Sequence, residues 1–192
     1  MKNNKYLFLI TITYFIFGFI NIHFAILGFI CMILPFVLLI KNQKKTWCQG
    51  YCPRASLYVQ VGKKRKHTRK TPNFFVKGNM KWILLTYFGI SLTIILLSTI
   101  KVAQGQIPAM EYLRFLLVVP IPWSLPQLFH IQHDLTWLTH LSYRFYSMMM
   151  TTTILGLLMA VIYKPRTWCT VCPVGTLSEL YIKGKKAPRS KA

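Results

Sequence analysis

At 192 residues the chain is 54% hydrophobic and carries 24 Lys and Arg against three acids, Glu111, Asp134 and Glu179, a net charge of +21. This excludes an ordinary soluble domain, in which apolar and charged residues are mixed, and a disordered chain, which is poor in apolar residues. The charge is also segregated: Tyr6 to Ile40, Trp82 to Ile100 and Tyr146 to Tyr163 contain no charged residue and read as membrane spans.

The first apolar run is too long for one crossing, since as a helix it would measure roughly 50 Å against a hydrocarbon core of ~30 Å. Gly18-Phe19-Ile20-Asn21-Ile22-His23 is the natural break, placing spans at about 5–21 and 24–40. A cleaved signal peptide fits less well, because no small-x-small site follows the first run. Cys31, within the second span, reads as a small buried apolar residue. The motif TWCQGYCP follows at Thr46 to Pro53, then a short amphipathic stretch, RASLYVQV, and the basic run GKKRKHTRK.

The third span is placed at 82–100 and the fourth at 146–163, giving an all-α integral membrane protein of four spans. Between them FLLVVPIPWSLPQLF, Phe115 to Phe129, is apolar but broken by Pro120, Pro122 and Pro126, which points to an interfacial or re-entrant segment. The histidines His130, His133 and His140 follow, with His23 on the same face. A quinone contact through His130 and His133 beside Asp134 is one reading, and satisfied interfacial histidines are the other. After the fourth span comes TWCTVCP, Thr167 to Pro173, followed by a second amphipathic stretch and a basic tail.

The chain therefore reads as two repeats, 1–81 and 82–192, each a transmembrane hairpin followed by a Trp-Cys…Cys-Pro motif and Gly-Lys-Lys. A parallel repeat of this kind has its pseudo-twofold axis along the membrane normal and brings the two motifs face to face. Lys41 to Lys81 and the tail from Lys164 hold most of the positive charge, whereas the segment between the third and fourth spans offers only Lys101, Arg114 and Arg144. The basic segments, both motifs and both termini then lie in the cytoplasm of a multi-pass protein of the bacterial cytoplasmic membrane. The lysines and arginines suit the lipid bilayer rather than nucleic acid, since GKKRKHTRK lacks interleaved aromatics.

Cytoplasmic thiols are kept reduced, so four of them on one membrane face suggest ligands or redox centres rather than structural disulfides. Two thiolates cannot complete a tetrahedral soft-metal site or hold a cubane, whereas Cys48, Cys52, Cys169 and Cys172 together can. Pro53 and Pro173 fit the first turn of a helix, which would leave each second cysteine beside free backbone N–H groups. Trp47 and Trp168 read either as shields of the site or as interfacial indoles. An iron–sulfur cluster, a Zn or Cu(I) ion, thiol–disulfide exchange and a purely structural or assembly role all remain open on spacing alone.

TWCQGYCPRASLY and CTVCPVGTLSEL resemble the paired Cys-x3-Cys-Pro elements of the membrane portion of polyferredoxin-like quinol dehydrogenase proteins, the NapH and NosR type, over essentially the whole chain. The resemblance implies a 4Fe-4S cluster on Cys48, Cys52, Cys169 and Cys172. It also implies an electron-transfer component, rather than a stand-alone enzyme, acting between a quinone pool or membrane partner and a redox protein. Two features depart from the family. The second pair is Cys-x2-Cys, and the C-x2-C-x2-C-x3-C-P runs of the family's ferredoxin domain are absent from these 192 residues. One cluster at most is then expected, with a separate ferredoxin, flavoprotein or respiratory complex completing the path. The topology makes its own prediction: in intact cells Lys64→Cys and Lys185→Cys variants resist an impermeant thiol reagent and Gln106→Cys reacts, while labelling of position 185 from outside would overturn the four-span reading.

Overall fold

The computed structural model describes residues 6–63, 71–77, 79–110, 112–116, 119–120 and 136–186. Helix dominates. Helix α1 is Leu7–Ile20, and a 3-10 helix, Ile22–Ile26, leads directly into α2, Leu27–Asn42. A π-helical turn, Trp47–Tyr51, precedes α3, Pro53–Lys63, and is followed by the short α4, Asn73–Lys77, and the long α5, Met80–Ala103. Two-residue strands β1, Arg114–Phe115, and β2, Val119–Pro120, pair antiparallel, with Arg114 opposite Pro120 and Phe115 opposite Val119. Then come α6, Thr136–Ile162, α7, Thr167–Val171, and α8, Pro173–Lys186.

Three helices among the described residues are long and apolar enough to cross a membrane: Ile22–Asn42, Met80–Ala103 and Thr136–Ile162. Helix α1 has 14 residues, about 21 Å at ~1.5 Å per residue, less than the ~30 Å hydrocarbon core. The break expected around Asn21 is present. Asn21 is extended and its side chain accepts the backbone N–H of His23 at 2.9 Å, which ends one helix and caps the next. Helix α6 begins ten residues before the expected start of the fourth span. Its first turns carry His, Ser, Tyr and Arg, so hydropathy truncates it, but these groups are consumed in packing rather than exposed. The Pro-rich stretch lies outside the described residues apart from Phe115, Leu116, Val119 and Pro120.

The chain divides into two compact units, and both draw on each sequence repeat. The first contains Met1–Leu9, Met32–Phe88 and Leu155–Ala192. Its core is Tyr58, Ala160, Trp168 and Val171, with Phe75, Leu84, Leu155 and Met159 around it. Helix α3 is laid against the second repeat through positions four apart on one face. A Cβ at Gly156 of α6 would stand 2.3 Å from Cζ of Tyr58, and one at Gly62 would stand 2.6 Å from Cγ of Pro165. Only glycine allows these approaches.

The second unit contains Ile10–Cys31 and Gly89–Ile154. Ile22, Ala25, Met110, Leu113, Tyr143 and Tyr146 form its core. Gly18 of α1 lies against the Tyr146 ring, whose hydroxyl donates to the Phe15 carbonyl at 3.2 Å. The segment Met110 to Leu116 lies along α6, held by backbone N–H groups of Met110, Arg114 and Leu116 donating to His140 Nδ1, Ser147 Oγ and Thr151 Oγ1.

The Tyr58 contact sets a test of the packing. Gly156→Ala should destabilise the protein by roughly 1–3 kcal/mol, the usual range for overpacking. Gly89→Ala, where a Cβ meets nothing within 4 Å, should cost nothing. Thermal unfolding of the two variants in one detergent compares them.

Candidate metal centre

Each Trp-Cys motif folds as one helical turn closed onto its second cysteine. In the first, the Cys52 N–H donates to the Trp47 carbonyl at 3.0 Å; in the second, the Cys172 N–H donates to the Trp168 carbonyl at 2.9 Å. The spans differ by one residue. The first is a five-residue π-type reach and the second a four-residue α-type reach, so the additional residue of Cys-x3-Cys is taken up by widening the turn. Both second cysteines then leave the turn extended, Cys52 at φ −72°, ψ 112° and Cys172 at φ −58°, ψ 127°.

The prolines act as expected. Pro53 opens α3 and Pro173 opens α8, positions where a missing N–H costs nothing. The carbonyl of Cys52 accepts the N–H of Ser56 at 3.2 Å, and that of Cys172 accepts the N–H of Thr176 at 3.0 Å. Each second cysteine thus ends one helix and caps another, which fixes its backbone on both sides. Thr167 adds a local clamp, its Oγ1 accepting the Lys164 N–H at 3.2 Å and donating to the Lys164 carbonyl at 2.9 Å.

Cys48 and Cys169 sit inside the turns, and all four thiols are half-buried and free of disulfides. They lie in one unit and feel one another's charge. Burial pushes Cys48 up to about 11, with repulsion from Cys172 and Cys52 adding to it. Burial likewise pushes Cys169 up to about 12, reinforced by Cys52, Cys172 and Cys48. Lys45 acts on Cys48 and Arg166 on Cys169 in the opposite sense, and both are outweighed. The basic surface therefore does not make Cys48 or Cys169 acidic, because desolvation of the thiolate is the larger effect.

Tyr58 and Trp168 close the site from within. Tyr58 is 1% exposed and lies within the field of Cys52, Cys172 and Cys169; burial raises its phenol well above the usual tyrosine range. Sequence reasoning passed over it, although a tyrosine in an otherwise amphipathic helix next to a cysteine pair was the available signal. Trp168 is 5% exposed in the core with Tyr58 and Val171, whereas Trp47 is half-buried. Across the site Glu179 of α8 pairs with Lys183 at 3.1 Å and with Lys45 at 3.6 Å, and Lys183 and then Lys45 hold its carboxyl below the usual range.

His130, His133 and Asp134 lie outside the described residues. His140 is a structural residue: it accepts the Met110 N–H at 3.1 Å on Nδ1, so its proton sits on Nε2, 3.1 Å from Ser98 Oγ. His23 Nδ1 lies 2.8 Å from Asn21 Oδ1.

Four thiols are the donor set that a 4Fe-4S cluster takes. Among the described residues no three Cys, His, Asp or Glu side chains converge as they must around one metal ion. A tetrahedral zinc, with Zn–S of about 2.3 Å, requires sulfurs under ~4 Å apart. Beside Cys52 the hydroxyl of Ser56, 2% exposed, has no hydrogen-bond partner, the kind of orphan that a bound group satisfies.

Fold and site define a mostly helical chain with membrane-length apolar helices and a four-thiol set drawn from two distant motifs. Two of its segments, residues 24–72 and 146–191, match the family described as a 4Fe-4S binding domain. Each segment contains one Trp-Cys motif, and together they make up just under half of the chain. The match supports an iron–sulfur protein whose cofactor is a 4Fe-4S cluster. No curated protein and no solved structure matches the chain.

The raised thiols make a pH prediction for the metal-free protein. Because the thiolate is the nucleophile, a group at about 11 is roughly one part in a hundred ionised at pH 9, where an ordinary thiol is near half. Alkylation of Cys48, followed by mass spectrometry of its peptide, should be slow at pH 8 and keep accelerating to about pH 11. A rate that levels off by pH 9 contradicts this environment.

Proposed function

We propose that Cys48, Cys52, Cys169 and Cys172 jointly hold one 4Fe-4S cluster and that the protein relays electrons at the cytoplasmic face of a bacterial membrane, as a NapH- or NosR-type component. The observation that carries this reading is that two matching Trp-turn-Cys-Pro caps, far apart in sequence, present four mutually interacting thiols in one compact unit, each cap inside a segment similar to a 4Fe-4S binding domain. When bound, the cluster supplies a one-electron carrier whose potential follows charge, hydrogen bonding and solvent access.

The chain's own residues do the rest. The caps fix the second cysteines, Tyr58, Trp168 and Val171 exclude water from one side, and Lys45 and Arg166 add positive charge beside an anionic group. That charge also favours an acidic redox partner such as a ferredoxin or flavoprotein. Three membrane-length helices with α1 as a fourth, shorter span, and basic segments on one side, support the multi-pass arrangement. A dithiol carrier that attacks through Cys48 or Cys169 is disfavoured, because these half-buried thiols, pushed to about 11 and about 12, are poor attacking groups.

Anaerobic purification with iron, sulfide and zinc analysis tests the reading. The wild-type protein should be brown, absorb broadly near ~400 nm and bleach on reduction. Serine at any one of the four cysteines should remove most of the iron, and Cys31→Ser should remove little. Stoichiometric iron in a Cys48→Ser, Cys52→Ser double variant sinks the shared site. A colourless, iron-free preparation in which Cys172→Ser traps a partner by disulfide would replace it with the dithiol reading.

A further inference from the structure

The second unit contains a buried cation that nothing described balances. Arg144 is 8% exposed, and its Nε is buried without a hydrogen-bond partner. It stands at the N-terminal end of the apolar run of α6, whose next residues, Phe145, Tyr146, Met148 and Met149, are all buried. An ionised side chain at such a depth is expensive and as a rule faces a partner.

Arg144 is also placed on the covered face of its helix. His140, Arg144, Ser147 and Thr151 follow one another at helical spacing along one stripe. The segment Met110 to Leu116 is fastened to His140, Ser147 and Thr151 of that stripe, at 3.1, 3.1 and 3.3 Å. Arg144 is the one member of the stripe that makes no such bond. The residue of the segment fastened one turn away, at Ser147, is a second arginine, Arg114. Its own Nε is buried without a partner, while its Nη2 donates to the Tyr112 hydroxyl at 2.5 Å. The two arginines are thus held on the same stretch of α6, near enough for their charges to repel. Glu179, the only acid among the described residues, is engaged by Lys45 and Lys183.

We propose that Arg144 and Arg114 form a binding site for a phosphate-type oxyanion. Guanidinium groups present forks of N–H donors that match the oxygens of such an anion, and one anion accepting from both would relieve their repulsion and fill the unpaired Nε positions. The end of the apolar run is the depth of lipid headgroups, so the phosphate is that of an anionic phospholipid or a free anion from the aqueous side.

The full chain, purified in a zwitterionic detergent and exchanged into phosphate-free buffer, is titrated with inorganic phosphate or transferred to nanodiscs of phosphatidylcholine with or without phosphatidylglycerol, and thermal unfolding is followed. A midpoint rise with phosphate alone identifies a soluble anion, and a rise only with phosphatidylglycerol identifies a headgroup; both support the site. Arg144→Gln should weaken the response at least tenfold, with Arg114→Gln as the second variant if the first does not fold, and Lys185→Gln should leave it unchanged. The Glu111→Gln, Asp134→Asn variant should respond as the wild type does. Absence of any response in the wild type overturns the proposal, as does a response equal in Arg144→Gln and Lys185→Gln. A response confined to the variant lacking Glu111 and Asp134 overturns it too, since a carboxylate of the chain then occupies the site.

Discussion

The approach of Tyr58 to Gly156 is the contact on which the thiol site depends. Cys52 caps the helix that carries Tyr58, and Cys172 follows directly on the turn that contributes Trp168 and Val171 to the same core. Burying the tyrosine against a glycine of α6, and Gly62 of the same helix against Pro165, therefore carries one cysteine pair to the other. Tyrosine supplies a large apolar surface that rewards burial, and glycine supplies the space; neither alone would join motifs more than a hundred residues apart. The Lys45–Glu179 pair links α8 back to the first motif, but at 3.6 Å and partly solvated it contributes little beside this packing.

Gathering four thiols in a half-dry place has an electrostatic cost, visible in the upward shifts of Cys48 and Cys169. Positive side chains nearby lower it without cancelling it. Cys48 and Cys169 are therefore poor nucleophiles, and cations that replace the protons of a thiol set remove its mutual repulsion at once. Burial, which would handicap a dithiol, thus favours a bound cluster.

The unequal spacing of the two motifs is resolved locally. A hydrogen bond from the second cysteine to the tryptophan carbonyl closes both turns, one across five residues and one across four. The inserted residue widens a turn and leaves the cap intact, so two sequences of different length reach the same backbone exit into a proline-started helix.

Much of this was legible in the sequence, because it rests on neighbours along the chain. Uncharged runs marked the long helices, Asn21 the break between the first two, Pro53 and Pro173 the helix starts, and the repeated Trp-Cys…Cys-Pro phrase the two matching turns. Tertiary structure decided what depends on distant partners. It extended α6 ten residues into a polar stretch, because His140, Ser142, Tyr143 and Arg144 of that stretch are buried in the second unit. It buried Trp168, made Tyr58 part of the site and turned His140 into a structural residue. It also set the balance at Cys48 and Cys169, where burial outweighs Lys45 and Arg166, because a thiol's ionisation depends on how much water the fold removes, and no count of nearby lysines and arginines contains that quantity.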